Sequence, residues 1–304
     1  MPERRVVAAN PPAGTCAAQE LAPLIDALDE AFISGRGRSG SLGRRYPGLL
    51  SAANLGRIHV RRQAGRVIAC CAVRRFTWLG GDTRWEGAMI GMVHTAPAWR
   101  GRGHAAAVLE AALDALAADG VDFAVLWSGL DGFYERLGWE AHDRGIFGSV
   151  TCPPAAPCAA APQGLSAEDI GRFEALRQRL APQRVVREPA AYGTVPLPAD
   201  RVVGAFAREG DGQAAALVGH AGATRYVFDA VGDAAALPAL WRAITAGAGI
   251  VHVNDVIGSD FHRWLARNVE ITFAAQQLAH WRMLTPRAGR APWRDWHLPW
   301  FDRI

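Results

Sequence analysis

Two spacings of apolar residues recur along this chain. Leu21, Leu24, Ile25, Leu28 and Phe32 return at helical spacing, which predicts a helix over residues 20–33, stopped by Ser34-Gly35. Shorter apolar runs at 57–61, 67–76 and 84–93 predict consecutive strands, with turns at Gln63-Ala64-Gly65 and Gly80-Gly81-Asp82. Between helix and strands, residues 35–43 hold too many glycines for a stable element and read as a loop. After the third strand comes Thr95-Ala-Pro-Ala-Trp-Arg-Gly-Arg-Gly-His-Ala105. Beyond it Val108, Leu109, Ala112, Leu113 and Leu116 share one helical face, with Glu110 and Asp114 opposite. That helix runs to about residue 118. A strand at 122–127, a short helix at 132–137 and a strand from Trp139 complete the first half.

Residues 151–164 break the pattern. Pro153, Pro154 and Pro157 fall within five residues, which neither a helix nor a sheet interior accepts, so this stretch reads as a linker. The order then recurs. A helix at 166–180 opens on a capping box of Ser166 and Asp169. Strands follow at 201–208, 214–220 and 224–228, then a helix at 234–246 and a strand at 250–253. A short helix at 262–267 and a strand at 271–275 close the series. The expected organisation is a domain over 1–150, a linker over 151–164, a second domain over 165–285, and a tryptophan- and proline-rich tail over 286–304. Trp293, Trp296 and Trp300 predict that this tail packs onto a lobe.

The turn before the third-strand helix carries the most chemistry. A strand, a glycine-bearing turn and a helix leave the first helical N–H groups without intrahelical partners, facing outward at the positive end of the helix dipole. Such amides hold phosphate. Gly101 and Gly103 let the backbone approach a ligand, and Arg100 and Arg102 add charge. The corresponding turn of the second half, Asp229-Ala-Val-Gly-Asp233, has no such glycine pair, and its two aspartates would repel a pyrophosphate.

Arg100-Gly-Arg-Gly-His-Ala105 resembles the Arg/Gln-x-x-Gly-x-Gly/Ala signature of the GCN5-related N-acetyltransferases. Phe133-Tyr-Glu-Arg-Leu-Gly-Trp139 resembles the same family's Phe-Tyr-x-x-x-Gly-Phe segment, at the right distance downstream. The resemblance implies an α/β (α+β) acetyltransferase fold, a mixed and mostly antiparallel sheet flanked by helices. It occurs here in two tandem lobes, the second degenerate, with an Eis-like first domain. It implies acetyl-CoA as co-substrate, held by Val93, His94, Thr95, Arg100, Gly101, Arg102, Gly103, His104 and Ala105. Tyr134 is the implied general acid, a phenol that stays neutral at pH 7 and can protonate a leaving thiolate. The general base is left open among His94, Glu86, a water chain and the carboxylate of Ile304. The last is suggested by the Eis-like enzymes, which place their own C-terminal carboxylate in the active site.

Composition narrows the setting. A 50% apolar and 20% charged content suits a globular chain, and no apolar run is long enough to span a bilayer, so a cytoplasmic protein without membrane partners is expected. All 33 basic residues are arginines, spread along the chain without a helix-turn-helix or zinc spacing, so nucleic acid is not an expected partner. Five cysteines form no framework: Cys70-Cys71 reads as core, and Cys152 and Cys158 lack further ligands nearby, so no metal is expected. The expected activity is transfer of acetyl from acetyl-CoA to a small-molecule amine by direct attack in a ternary complex, in a chain open to homo-oligomer formation. The alternatives are a non-catalytic CoA-binding sensor or scaffold, or an enzyme of the same fold using another acyl-thioester reaction.

Overall fold

The apolar runs expected to be strands are strands, and those at 66–80 and 83–95 extend past their hydrophobic stretches. The computed structural model describes residues 13–80, 83–130, 132–153, 164–285 and 292–304. In chain order the first half holds β1 (Gly14–Thr15), α1 (Leu21–Phe32), α2 (Leu42–Arg45), β2 (Ile58–Gln63), β3 (Arg66–Gly80), β4 (Thr83–Thr95), α3 (His104–Ala118), β5 (Phe123–Trp127), β6 (Glu140–Ala141) and β7 (Gly145–Thr151). The second holds α4 (Ala167–Leu180), β8 (Gln183–Val186), β9 (Arg201–Glu209), β10 (Gly212–Ala221), β11 (Thr224–Gly232), α5 (Leu237–Thr245), β12 (Ile250–Val256), α6 (Asp260–Asn268), β13 (Phe273–Ala275) and β14 (Ala279–Met283). Among these residues no helix is long and apolar enough to cross a membrane.

Two mixed, mostly antiparallel sheets result. The first runs β1-β2-β3-β4-β5-β14-β6, with β8 added beside β3; the second runs β13-β7-β12-β11-β10-β9. The parallel pairs are β4 with β5 and β11 with β12, and in each a helix makes the crossover. The sheets do not divide at the linker. β7 precedes it yet pairs along its whole length with β12, from Thr151↔Ile250 to Gly145↔Val256, while β8 and β14 follow it and join the first sheet. Residues 151–164 therefore separate the halves in chain order and not in sheet membership. Periodicity predicts that a segment is a strand, but the edge it joins is decided by long-range pairing.

Each sheet is covered on both faces. Alternation along β3 sends Cys71 and Val73 under α3 with Val108, Leu109, Ala112, Leu113 and Leu116, while Cys70 and Ala72 meet Leu24 and Leu28 of α1 and Leu42 of α2. Burial pushes the Cys70 thiol up to about 12 and the Cys71 thiol well above its ordinary value, so both are inert packing groups. The second sheet packs Ala216, Val227 and Val253 under α5 and α6, and Ala215, Leu217 and Phe228 under α4.

The tail crosses between these cores. Trp293 and Trp296 are buried in the first sheet's core, where Trp296 stacks on Trp78 at 4.8 Å and Trp293 on Trp281 at 5.8 Å. Phe301 is buried in the second sheet's core, and Ile304 returns to the first. Trp300 is half-buried, with its ring 5.2 Å from Phe228.

Two local expectations are corrected. Part of the glycine-rich stretch folds, because Asp29 Oδ1 accepts from the Leu42 N–H at 2.7 Å and Ser41 Oγ from the Gly43 N–H at 3.3 Å, capping α2. The helix read at 132–137 is a single 3-10 turn, Glu135–Leu137, ended by Gly138 at φ 79°. Ser166 and Asp169 form the capping box read from the sequence, by reciprocal bonds of 3.1 and 3.2 Å. Most of the linker, Cys158 included, lies outside the described residues; Cys152 is buried with a free thiol.

Candidate functional site

The site begins where β4 and β5 part. Their parallel pairing covers Gly87↔Phe123 to Met89↔Val125 and stops there, although β5 continues to Trp127 and β4 to Thr95. On its other side β4 bulges against β3: Ala72 pairs with Gly91 and Cys70 with His94, so Met92 and Val93 stand opposite Cys71 alone. Met92 has φ 53°, a left-handed conformation that a side chain rarely takes. The edge of β4 facing β5 is consequently open from Ile90 onward. A cavity of about 830 Å³ fills the gap, walled by residues 90–95, Trp99, residues 126–130, Phe133 and Tyr134.

The glycine turn closes one end. Gly103 caps α3 at φ 75° and Gly101 sits at φ 72°, and a Cβ added at either would meet nothing within 4 Å. The conformation, not crowding, demands glycine there. The first intrahelical bond runs from the Ala107 N–H to the Gly103 carbonyl, leaving the amides of His104, Ala105 and Ala106 at the exposed end of the dipole. Arg100 donates from Nε to the Thr95 carbonyl at 3.1 Å, and Arg102 lies over the Trp99 ring at 5.1 Å. Among the described residues neither forms an ion pair, so both guanidinium charges are available to an anion. The Thr95 hydroxyl and the Trp127 indole N–H are buried in the cavity wall without a hydrogen-bond partner. Open amides, uncommitted arginines and orphaned polar groups suit a long ligand with a diphosphate at one end and amide groups along its arm.

At the other end stands Tyr134, 4% exposed, with its ring 5.2 Å from His280 and 6.2 Å from Trp139. Burial pushes its phenol above the ordinary value against a Ser128 hydrogen bond that pulls it back, so it holds its proton at neutral pH. His94 lines the cavity edge-on to Phe32; burial and then Arg100 lower its pKa, leaving a neutral imidazole. His104 lines the cavity with a buried ring, both nitrogens without partners, and its pKa is likewise lowered by burial. Glu86 is not in the cavity wall. It lies five residues before Gly91 on β4, roughly 16 Å along the strand, where Arg84 holds its carboxylate at 2.9 Å.

Three further groups meet here, of which His280 and Arg303 carry no local sequence signal. Ile304 lies in the cavity wall, and a Cβ on Gly91 would fall 2.7 Å from its carbonyl carbon and oxygen; only glycine admits the chain end at this point. His280 of β14 is brought beside Tyr134 by a strand from the far end of the sequence, with Nδ1 3.0 Å from the Leu278 carbonyl and Nε2 3.5 Å from Glu135. Arg303 spans from Trp127, over whose ring it lies at 5.1 Å, to Gln276 and the Leu298 carbonyl, at 3.0 Å from each. A tryptophan-rich tail announces that it will pack, but not against what.

Residues 16–142 match the family model for an acetyltransferase (GNAT) domain. No curated protein matches the chain in sequence. Among solved structures it is similar to a GCN5-related N-acetyltransferase from Anabaena variabilis, at 16% identity and TM-score 0.69, covering 90% of this chain and 72% of that one. It is also similar to one from Kribbella flavida, at 19% identity and TM-score 0.65, covering 90% and 71%. Eis1 from Mycobacterium abscessus follows at 17% identity and TM-score 0.57, covering 90% and 73%. These likenesses show the fold, and the family implies acyl transfer from acetyl-CoA. The parted strands and the glycine turn lie inside the segment that matches this GNAT acetyltransferase model.

Proposed function

We propose that the protein is an acetyl-CoA-dependent N-acetyltransferase acting on a small-molecule amine, by direct attack in a ternary complex. One observation carries the reading: a single cavity joins the open amides at Gly103 to the buried phenol of Tyr134 and the chain end at Ile304. Acetyl-CoA, when bound, supplies the activated acyl group. The amides of residues 104–106, with Arg100 and Arg102, hold its diphosphate, and the open edge of β4 along Val93, His94 and Thr95 aligns its arm. Tyr134 keeps its proton until a thiolate needs it, then donates from the phenol oxygen. His94, a neutral imidazole in the same wall, takes the proton from the attacking amine. Gly91 brings the main chain of Ile304 against the opened strand beside it.

The acceptor side supports an amine of low positive charge. Phe32, Leu42, Tyr46, Met92 and Leu197 make that wall apolar, and among the described residues the charged side chains lining the cavity are Arg36 and Arg100, with no aspartate or glutamate. A polycationic acceptor would meet repulsion from Arg36 and Arg100.

The test is release of free thiol from acetyl-CoA across an amine panel, with wild type beside Tyr134→Phe. The expected result is turnover with a monoamine, cut about 10²-fold in the variant while acetyl-CoA affinity by calorimetry is unchanged. Full turnover in Tyr134→Phe would remove the phenol from its role. Binding of acetyl-CoA with no turnover on any amine would favour a sensor or scaffold.

A further inference from the structure

The opening in the second sheet holds a cavity of its own, about 640 Å³, a size that encloses a small organic molecule. It lies where β11 and β12 part after Val227↔Val253, with walls from α4, α6 and the tail. Most of its charge is already matched: Asp229 pairs with Arg187 and Arg177, Asp233 with Arg179, and Asp260 with Arg263. Asp255 of β12 and Arg144, the residue before β7, are left over as neighbours. Asp255 pairs with Ile146, and the Ile257 N–H donates to the Arg144 carbonyl at 3.1 Å. The Asp255 carboxylate, 9% exposed, accepts from neutral groups, the Val256 N–H at 2.7 Å and the Ser259 hydroxyl. Arg144 donates from Nη1 to the Asp295 carbonyl at 2.9 Å. Among the described residues neither Asp255 nor Arg144 forms an ion pair, with the other or elsewhere. Arg184 also lines the cavity, but from β8 of the other sheet, and Asp295 is exposed at its rim.

Two further polar groups in the same wall have no partner. The Trp78 side chain is 1% exposed with its indole N–H unpaired, and Nδ1 of His297 is buried without a hydrogen bond. Buried polar atoms are nearly always paired, so these two ask for a molecule in the cavity. The charges say which kind. A buried carboxylate without a cation is costly, and a guanidinium fork that meets only a carbonyl has its bidentate capacity unused. One molecule carrying both an ammonium group and a carboxylate answers both. Leu180, Val231 and Phe261 give it apolar wall besides.

We propose that the second opening binds a small zwitterion of the α-amino-acid class, with its ammonium group on Asp255, its carboxylate on Arg144 and an apolar side chain in the remaining space. This reading is independent of the reaction proposed for the first cavity, and it gives the second lobe a ligand of its own.

The experiment is calorimetry on the full chain at about pH 8, where the Asp255 carboxyl is ionised. The probes are L-leucine, isopentylamine, which lacks its carboxylate, and isocaproate, which lacks its ammonium group. One equivalent of L-leucine is expected to bind, with each truncated analogue at least about tenfold weaker. Asp255→Asn and Arg144→Gln should each weaken L-leucine at least about tenfold and leave acetyl-CoA Kd unchanged, since neither residue lines the first cavity. The analogue series is read on wild type, so it decides the matter even if Asp255→Asn fails to fold. Absence of L-leucine binding overturns the proposal. Equal affinity for either analogue does the same, as does full L-leucine affinity in either variant, which would put the ligand elsewhere, the first cavity included. A parallel loss of acetyl-CoA affinity in Arg144→Gln would reduce that residue to structural support and also overturn the assignment.

Discussion

The two halves of the molecule open their sheets in the same way and fill the openings with opposite chemistry. In the first, β4 and β5 pair as far as Met89↔Val125; in the second, β11 and β12 pair as far as Val227↔Val253, then part. Two residues beyond the last pair stand Gly91 and Trp127 in one, Asp229 and Asp255 in the other. A bulge accompanies each opening, at Met92-Val93 on β4 and at Phe228 on β11. Cavities of about 830 and 640 Å³ lie at the two sites. Gly91 makes room for a chain end, whereas Asp229 is occupied by Arg187 and Arg177. After β4 come two left-handed glycines and a fifteen-residue helix whose first amides are free; after β11 comes Asp233, whose carboxylate accepts from the Gln213 N–H at 2.9 Å and pairs with Arg179. The parted strands are a property of the fold. Binding an anion is a property of the turn that follows, and a handful of residues decide it.

The sharpest way to break this comparison is to give the first turn the second's backbone. Gly101→Val with Gly103→Val asks two β-branched residues to adopt φ values near 70°, at about 1–2 kcal/mol each, and draws the amides away from the diphosphate. The expected outcome is a loss of acetyl-CoA affinity of at least about 10²-fold by calorimetry, with the far-ultraviolet spectrum unchanged. Retained affinity would mean that the first cavity binds by its walls and that the turn does not distinguish the halves.

A second prediction concerns the cost of filling the other opening with carboxylates. Asp255 is buried, and burial pushes its carboxyl up to about 7 despite hydrogen bonds from the Ser259 hydroxyl and the Val256 N–H. The folded protein thus keeps a proton that the unfolded chain has already released above its ordinary value of 3.8. Since the native state binds more protons in that window, stability falls as pH rises from there to about 7, then levels off. The slope is about 1.4 kcal/mol per pH unit. Urea unfolding of wild type and Asp255→Asn between pH 5 and about 8 checks this; the Asn variant should lose one proton's worth of slope. Parallel curves would place the Asp255 carboxyl at its ordinary value, and the second opening would then carry a stable negative charge.

How much of this was legible follows the distance over which each feature is encoded. The glycine turn, the α3 face from Val108 to Leu116 and the Ser166 capping box are written within a few residues, and all three fold as read. Tyr134 is flagged by its segment and lines the cavity, but His280 reaches it on a strand from 146 residues downstream and leaves no local trace. The exchange of β7 and β14 between sheets is invisible for the same reason, since an apolar run carries no record of which edge will take it. Candidate bases illustrate the limit. Glu86 and His94 looked equivalent on one strand, yet the alternating geometry and the length of β4 put one against Arg84 and the other in the cavity.

The smallest expected effect is also the cleanest control on the comparison. Asp233→Ala removes a half-exposed carboxylate from the second turn, with its Arg179 pair and the Gln213 bond, and touches nothing in the first cavity. If the second half lacks a binding turn because of its backbone, deleting the repelling charge should restore nothing. Residues 232–236 include no left-handed glycine, and Asp233 leads into a three-residue 3-10 turn, Ala234–Ala236, before α5 begins at Leu237. Such a turn offers fewer aligned amides than the first turn of α3. Calorimetry should therefore find one acetyl-CoA per chain in wild type and variant alike, at the same affinity. A second equivalent appearing in Asp233→Ala would show that one carboxylate, and not the shape of the turn, is what closes the second opening to phosphate.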